Sequence, residues 1–262
     1  MPEVTAPYTA GTPCWATLSV PDQQAALDFY RDLFGWSGRV GPPETGGYAV
    51  CVWQDRAVAG IARAQPMGDL PAPPTAWTTF LCADDADAAA AAVTGNGGRL
   101  LTPVDDVPGR TGRMFVAADP AGAAFGVWQP LDFFGAEIVN EPGAMAWNEL
   151  NSRDLDASAA FYRRALGVGV TPFKDLPGYF TLEVDGRAVG GMRALDDTFP
   201  PGTPSNWLTY FAVDDVDSTV DAAVRAGASV LAPPFDMVAG RMSVVADPQG
   251  GVFAVLAQPP ES

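Results

Sequence analysis

The feature that most constrains this chain is a repeat that divides it into two similar halves. The stretch PCWATLSVPDQQAALDFYRDLFGW at residues 13–36 returns at residues 145–168 as MAWNELNSRDLDASAAFYRRALGV. Further blocks recur in the same order, namely RAVAG at 56–60 and RAVGG at 187–191, GRM at 112–114 and 240–242, and ADPAG at 118–122 and ADPQG at 246–250. Repetition over most of a chain is typical of a duplicated structural unit. We therefore expect two domains of one fold.

Local patterns predict two βαβββ modules within each half. Residues 14–20 alternate like a strand, Asp22 is a suitable N-cap for the helix that follows, and Gly35 is a suitable end for it. We expect an additional hairpin strand within residues 37–40, a plain loop at residues 103–112 and a strand at residues 229–232. The Asp84-Asp85 and Asp214-Asp215 pairs resemble acid pairs for catalysis, but they lie where helix caps are expected, and we interpret them as caps.

The predicted fold class is therefore α+β, with two tandem domains. We place the first domain at residues 10–129, a linker at 130–143 and the second domain at 144–258. The linker contains Phe133, Phe134 and Ile138, so we expect it to pack against the domains.

Composition excludes several classes of function. The net charge is −16, which argues against partners that need a basic surface, such as nucleic acids and anionic membranes. The chain has no His, which excludes His-dependent hydrolases and His-ligated iron or zinc enzymes. Cys14, Cys51 and Cys82 form no CxxC pair, and we expect buried reduced thiols in a cytoplasmic protein without membrane spans.

The repeated motifs resemble those of the vicinal oxygen chelate superfamily. These motifs are the opening strand with its Asp and Phe-Tyr helix, the Asp-Asp helix, and the GRM strand followed by a DPxG turn. The superfamily includes glyoxalase I, bleomycin-resistance proteins and extradiol dioxygenases, and the tandem glyoxalase-like proteins of actinobacteria look most similar. The resemblance implies that paired βαβββ modules curl into an open sheet around a cavity.

The resemblance also locates the positions at which metal-binding members carry their ligands. In this sequence they fall at Trp15, Gly60, about Thr78 and Gly126 in the first half, and at Trp147, Gly191, about Leu208 and Ala254 in the second. None of these residues is a suitable metal ligand, and divalent metals need three or four protein donors. We therefore expect no metal site and no cofactor in either half.

Four tryptophans are expected beside these positions, and they are Trp15, Trp77, Trp147 and Trp207. They could form an aromatic cavity wall that binds a flat or apolar ligand. The alternative is that they only fill the space that the metal has left.

Glu149 is the candidate acid or base. It lies two residues after Trp147 on the same strand, so both side chains point to the same face. A buried carboxyl group there has a raised pKa and could transfer protons. The alternative is a structural Glu that bonds to the backbone or to Arg187 or Arg241. Its counterpart in the first half is Thr17, which indicates that the two halves have diverged.

Two Arg-Met pairs at strand entrances complete the candidate ligand-binding set. Arg113 and Arg241 could bind an anionic ligand at the cavity mouth, although structural salt bridges are the alternative. Met114 and Met242 could supply adaptable walls.

These observations favour a protein that binds or sequesters a small apolar or aromatic metabolite, as in antibiotic resistance or secondary metabolism. The alternative is a glyoxalase-like lyase, isomerase or hydroxylase that works without the usual metal and uses Glu149. A structural or partner-binding protein is the third class. Because two halves in one chain supply their own pairing, we favour a monomer, and a homodimer stays open.

Overall fold

The chain forms two curled sheets, one from each half. The computed structural model describes residues 3–66, 68, 71–174 and 176–258. Over these residues the chain forms sixteen strands and four α-helices, which confirms the predicted α+β class.

The elements follow the repeat. Those of the first half are β1 (Pro13–Val20), α1 (Gln23–Phe34), β2 (Ala49–Trp53), β3 (Arg56–Arg63), β4 (Ala76–Cys82), α2 (Ala86–Gly95), β5 (Arg99–Leu100), β6 (Asp105–Val107), β7 (Gly112–Ala118) and β8 (Ala124–Pro130). Those of the second half are β9 (Met145–Ser152), α3 (Leu155–Leu166), β10 (Gly169–Pro172), β11 (Tyr179–Val184), β12 (Arg187–Ala194), β13 (Asn206–Ala212), α4 (Val216–Arg225), β14 (Ser229–Met237), β15 (Gly240–Ala246) and β16 (Val252–Ala257).

Each sheet joins two modules along its opening strands. The first sheet has the order β2-β3-β1-β4-β8-β7-β5, with β6 paired to β7. The second has the order β10-β11-β12-β9-β13-β16-β15-β14. In both sheets the opening strands of the two modules run antiparallel to each other, as β1 does to β4 and β9 to β13. We call the concave side of each sheet its inner face and the side covered by helices its outer face.

The acidic residues before the helices act as caps. Asp22 accepts a hydrogen bond from the Ala25 N–H and Asp85 accepts one from the Ala88 N–H. Asp154 and Asp215 do the same in the second half. A side-chain acceptor at this position satisfies an N–H that the helix cannot pair. The cap interpretation of these residues is therefore confirmed.

Three predicted boundaries were wrong. Residues 37–40 form no strand, and only an isolated bridge joins Ser37 to Val52. Two prolines follow this segment and cannot donate to a ladder, whereas the equivalent segment in the second half forms β10. The predicted loop at 103–112 contains the short strand β6, and β14 extends to Met237.

The two halves pack through their outer faces and exchange hydrogen bonds there. The Trp77 Nε1–H donates to the Tyr30 hydroxyl at 3.0 Å, and Tyr30 donates to Asp247 of the other half at 2.9 Å. The second half resembles this arrangement: Trp207 donates to Tyr162 at 2.8 Å, Tyr162 lies beside Asp119 of the first half, and Ser158 donates to Asp119 at 3.4 Å.

Cys14, Cys51 and Cys82 are buried and form no disulfide. Among the described residues, no helix combines the length and the apolar character that a membrane crossing requires.

Candidate functional site

A cavity of about 600 Å³ lies on the inner face of the first sheet. Its position follows from strand alternation: on β1 the side chains of Trp15, Thr17 and Ser19 point inward, while the residues between them face the helices. The apolar wall comes from strands of both modules and from the linker, and it comprises Trp15, Phe80, Met114, Val116, Trp128 and Phe133.

Tyr48 forms the polar centre of this wall. Its hydroxyl accepts a hydrogen bond from the Trp15 Nε1–H at 2.7 Å and shares a second with the Thr17 hydroxyl at 2.8 Å. Burial raises the pKa of Tyr48 to about 12, so the phenol is neutral at physiological pH. The cavity therefore offers aromatic rings and neutral hydroxyl groups in its interior.

Two glycines make room for the aromatic rings. A Cβ atom added to Gly60 would lie 1.7 Å from the Tyr48 hydroxyl oxygen, and one added to Gly126 would lie 2.2 Å from the Phe80 ring. Gly60 and Gly126 are two of the positions at which metal-binding relatives would carry a ligand. At both positions, an aromatic side chain from a neighbouring strand or loop takes the space of the missing side chain.

The residues at the four metal positions do not fit a divalent metal. The Trp15 indole is only a donor, the two glycines have no side chain, and Thr78 has a single weak hydroxyl oxygen. Within the described part of the chain, no group of three or more His, Cys, Asp or Glu residues could hold a metal ion. The donor set thus disagrees with the metal site of the resembling family.

The linker closes one side of the cavity. The Phe133 ring packs edge-on against Trp15 at 5.0 Å between centroids, and its carbonyl accepts a hydrogen bond from the Trp128 Nε1–H at 2.9 Å. The Ala136 N–H then donates to the Cys14 carbonyl at 2.8 Å. Sequence reasoning missed the cavity roles of Tyr48, Phe80, Trp128 and Phe133. For Tyr48 the repeat offered a signal, since Tyr179 is its counterpart.

The inner face of the second sheet carries a buried polar group instead. Glu149 is only 4 % exposed and lies beside Gly191 in the register of β9 and β12. Desolvation raises the pKa of its carboxyl group, while the positive charge of Arg193 and hydrogen bonds from Tyr179 and Tyr210 act in the opposite direction. Neither Arg187 nor Arg241 is among its partners. We call Glu149, Tyr179, Arg193 and Tyr210 the Glu149 cluster.

Around the Glu149 cluster, side chains of the protein pack against one another. Tyr179 also accepts a hydrogen bond from the Trp147 Nε1–H at 3.0 Å, as Tyr48 does from Trp15. The apolar members of this packing are Leu208, Tyr210, Met242, Ala254 and Leu256, with Trp147, Met237 and Val244 partly buried against them. Met242 is thus a core residue of the second half, whereas Met114 lines the cavity of the first.

Trp77 and Trp207 do not lie on an inner face, so their predicted place in a cavity wall was wrong. Thr78 and Phe80 point into the cavity, and strand alternation therefore turns Trp77 to the outer face. There it packs against Phe211 of the other half at 5.0 Å between ring centroids. Trp207 packs edge-on against Tyr162 of its own half, as Trp77 does against Tyr30.

The two arginines form salt bridges with acidic residues. Arg113 contacts Asp87 at 2.6 Å and Asp106 at 2.8 Å. The second half repeats this, with Arg241 contacting Asp217 at 2.5 Å and Asp236 at 3.0 Å. The geometry supports the structural alternative for both residues.

Comparison with known proteins agrees with the fold and its duplication. Residues 13–127 and 144–255 match the family model described as Glyoxalase/Bleomycin resistance protein/Dioxygenase superfamily. The chain is 39% identical over 259 residues to a protein of Mycobacterium bovis named "Putative glyoxylase CFP32", with 97% of each chain covered. It is 36% identical over 262 residues to "Anthracycline biosynthesis protein DnrV" of Streptomyces peucetius, covering 95% of this chain and 94% of that one.

Solved structures show the same fold at low sequence identity. The Mn(II)-bound glyoxalase from Novosphingobium aromaticivorans aligns with a TM-score of 0.64 at 19% identity, covering 95% of this chain and 82% of the other. The 2,3-dioxygenase LapB from Pseudomonas sp. KL28 aligns with a TM-score of 0.61 at 15% identity, covering 97% and 95%.

Proposed function

The chain belongs to the glyoxalase/bleomycin resistance/dioxygenase superfamily, and on this premise we propose that it binds one small, flat aromatic or apolar metabolite in the cavity of its first half. Sequestration or transport of that metabolite is the function that best fits a cavity whose residues do not suit the family's metal.

The aromatic cavity is the observation that carries this proposal. Its volume of about 600 Å³ lies within the range of roughly 300–1,000 Å³ that is usual for small-molecule sites. Rings such as Trp15 and Phe80 favour stacked or edge-on contacts with a flat ligand. The neutral Tyr48 and Thr17 hydroxyls are already hydrogen-bonded to each other, so an apolar ligand leaves neither of them without a partner.

The relatives support a ligand from secondary metabolism. Two of them, from Streptomyces species, are named as anthracycline biosynthesis proteins. Anthracyclines are flat, fused-ring aromatic compounds, and their shape agrees with an aromatic-walled cavity. Antibiotic resistance by sequestration is a specific form of this function.

Titration of the intrinsic Trp fluorescence with a panel of neutral fused-ring aromatics tests the proposal. We expect saturable quenching with one ligand per chain, since Trp15 and Trp128 line the cavity. The variant Ala62→Leu extends a side chain into the cavity and should weaken binding at least about tenfold.

Ala88→Leu is the matched control, because Ala88 is an exposed residue of α2. It should bind like the wild type. If no compound of the panel quenches the fluorescence, or if Ala62→Leu binds as well as the control, the proposed cavity function is wrong.

A second candidate function is metal-independent catalysis by a glyoxalase-like lyase, isomerase or hydroxylase with Glu149 as acid or base. The raised pKa of the buried Glu149 favours it. Glu149→Gln should then abolish a measured turnover while Thr17→Ser, at the equivalent position of the other half, should not. An unchanged rate in Glu149→Gln would remove this residue from catalysis.

A further inference from the structure

The charged residues around the cavity all have the same sign. Glu44, Asp105 and Asp106 are among its lining residues, and no Lys or Arg is. Glu44 lies on a 3-10 turn at Pro43–Thr45 in the first module, and the two aspartates lie on β6 in the second. All three are exposed, so they form an acidic rim around an apolar interior.

Asp106 has a structural role that the repeat explains. It accepts a hydrogen bond from Arg113, and in the second half Asp236 accepts one from Arg241 in the same way. Because both halves keep this pair, it belongs to the scaffold. It does not account for the other two acids.

Asp105 is specific to the first half. It lies opposite Met114, a cavity-wall residue, in the register of β6 and β7. The residue opposite Met242 in the second half is Phe235. Among the ion pairs of the described residues, neither Asp105 nor Glu44 takes part in any. Asp105 does accept a hydrogen bond from the Asp106 N–H, but its charge is not paired, and it lies beside the cavity where the second half has an aromatic ring.

A ligand that satisfies both parts of this site must be amphiphilic. A charge inside the apolar interior would lose its hydration without a partner, which is costly. A positive charge at the rim stays hydrated and gains from the carboxylates there. A negative charge at the same place is repelled. The aromatic body therefore belongs inside and a cationic group at the mouth.

We propose that the ligand of this cavity is an aromatic ring system that carries a protonated amine, with Glu44 and Asp105 selecting the cation. This inference rests on the proposed binding function and specifies the class of ligand. A cation beside one or two exposed carboxylates should bind about three- to tenfold more tightly than its neutral analogue at low salt.

Three anthracenes with different substituents at the same ring carbon test it: aminomethylanthracene, hydroxymethylanthracene and anthracenecarboxylate. Their binding is followed by fluorescence anisotropy at low and at high ionic strength. We expect the amine to bind most tightly and the carboxylate most weakly. Salt should reduce the advantage of the amine, because it screens exposed charges.

The variants Asp105→Asn and Glu44→Gln should each lower the affinity for the amine and leave that for the alcohol unchanged. Asp221→Asn removes one exposed charge from α4 of the second half and serves as the control. If the three compounds bind equally well, or the two rim variants match the control, the inference is overturned while aromatic binding stands. If none binds, the proposed function fails and the inference fails with it.

Discussion

The two inner faces of this molecule use one fold for two different purposes. The first encloses a cavity, whereas the second buries the Glu149 cluster. Four pairs of equivalent positions differ in chemistry between the halves, and they are Thr17 and Glu149, Ala62 and Arg193, Phe80 and Tyr210, and Asp105 and Phe235.

The outer faces have not diverged in this way. Tyr30 donates to Asp247, and Asp119 accepts from Ser158 and lies beside Tyr162, so each half depends on the other for a buried polar partner. A change on one side would leave a buried group without its hydrogen bond, which costs about 1–3 kcal/mol. The comparison shows that mutual contacts restrain the outer faces, while each inner face was able to change by itself.

The variant Thr17→Glu should have the largest effect on stability, because it gives the first inner face the carboxyl group of the second. It places a carboxyl group beside Tyr48 without the cation that Arg193 supplies in the second half. We expect the free energy of unfolding in urea to fall by about 2–4 kcal/mol at neutral pH.

Adding Ala62→Arg to Thr17→Glu should recover part of this loss, because it supplies a positive charge at the position equivalent to Arg193. Ala62→Arg alone is the control for the arginine. A Thr17→Glu variant as stable as the wild type would show that the first inner face tolerates a charge, and the contrast between the halves would lose its energetic basis.

The variants Tyr30→Phe and Tyr162→Phe test whether the outer faces are equivalent. Each variant removes a tyrosine hydroxyl that contacts both an indole N–H and a carboxyl group. We therefore expect each to lower the free energy of unfolding by about 1–3 kcal/mol. Chemical denaturation of both variants in parallel measures this. A cost confined to one of them would mean that the outer faces have diverged as well.

The smallest effect concerns the pH dependence of Glu149→Gln. Because burial raises the pKa of Glu149 in the folded state, the folded protein binds this proton more tightly than the unfolded chain does. The contribution of Glu149 to stability is therefore fully present below its unfolded pKa and is lost as the pH rises through its folded pKa.

Relative to Glu149→Gln, the wild type should thus become less stable between acidic and neutral pH. Unfolding of both proteins over this pH range measures the difference. Burial also raises the pKa of Asp119. Because Asp119 is present in both proteins, its contribution cancels in the difference between their stabilities. A difference that does not change with pH would argue against a raised pKa of Glu149.

Much of the fold could be predicted from the sequence because the repeat, the caps and the strand alternation are local signals. The same signals placed Trp15, Thr17 and Met114, which line the cavity, and indicated the burial of Glu149. The positions at which metal-binding members carry ligands were taken from the resemblance alone.

The rest depends on contacts that local patterns do not encode. Alternation separates two faces of a strand but does not say which is concave, so Trp77 was assigned to the wrong one. The positive charge of Arg193 acts on Glu149 from a neighbouring strand, so its role depends on the register of β9 and β12. Phe133 reaches the cavity only because the linker turns back against Cys14.

The crossed tyrosine–aspartate contacts have a consequence for the ancestry and folding of the chain. A single half would expose a Tyr-Trp pair and an aspartate, each complementary to the other in a second copy. Such a half could satisfy them by assembling symmetrically with itself, as isologous dimers do. In the fused chain the linker keeps the two partners at high effective concentration. The fusion therefore removes the requirement for identical subunits, and that freedom is what allows one half to form an aromatic cavity while the other buries the Glu149 cluster.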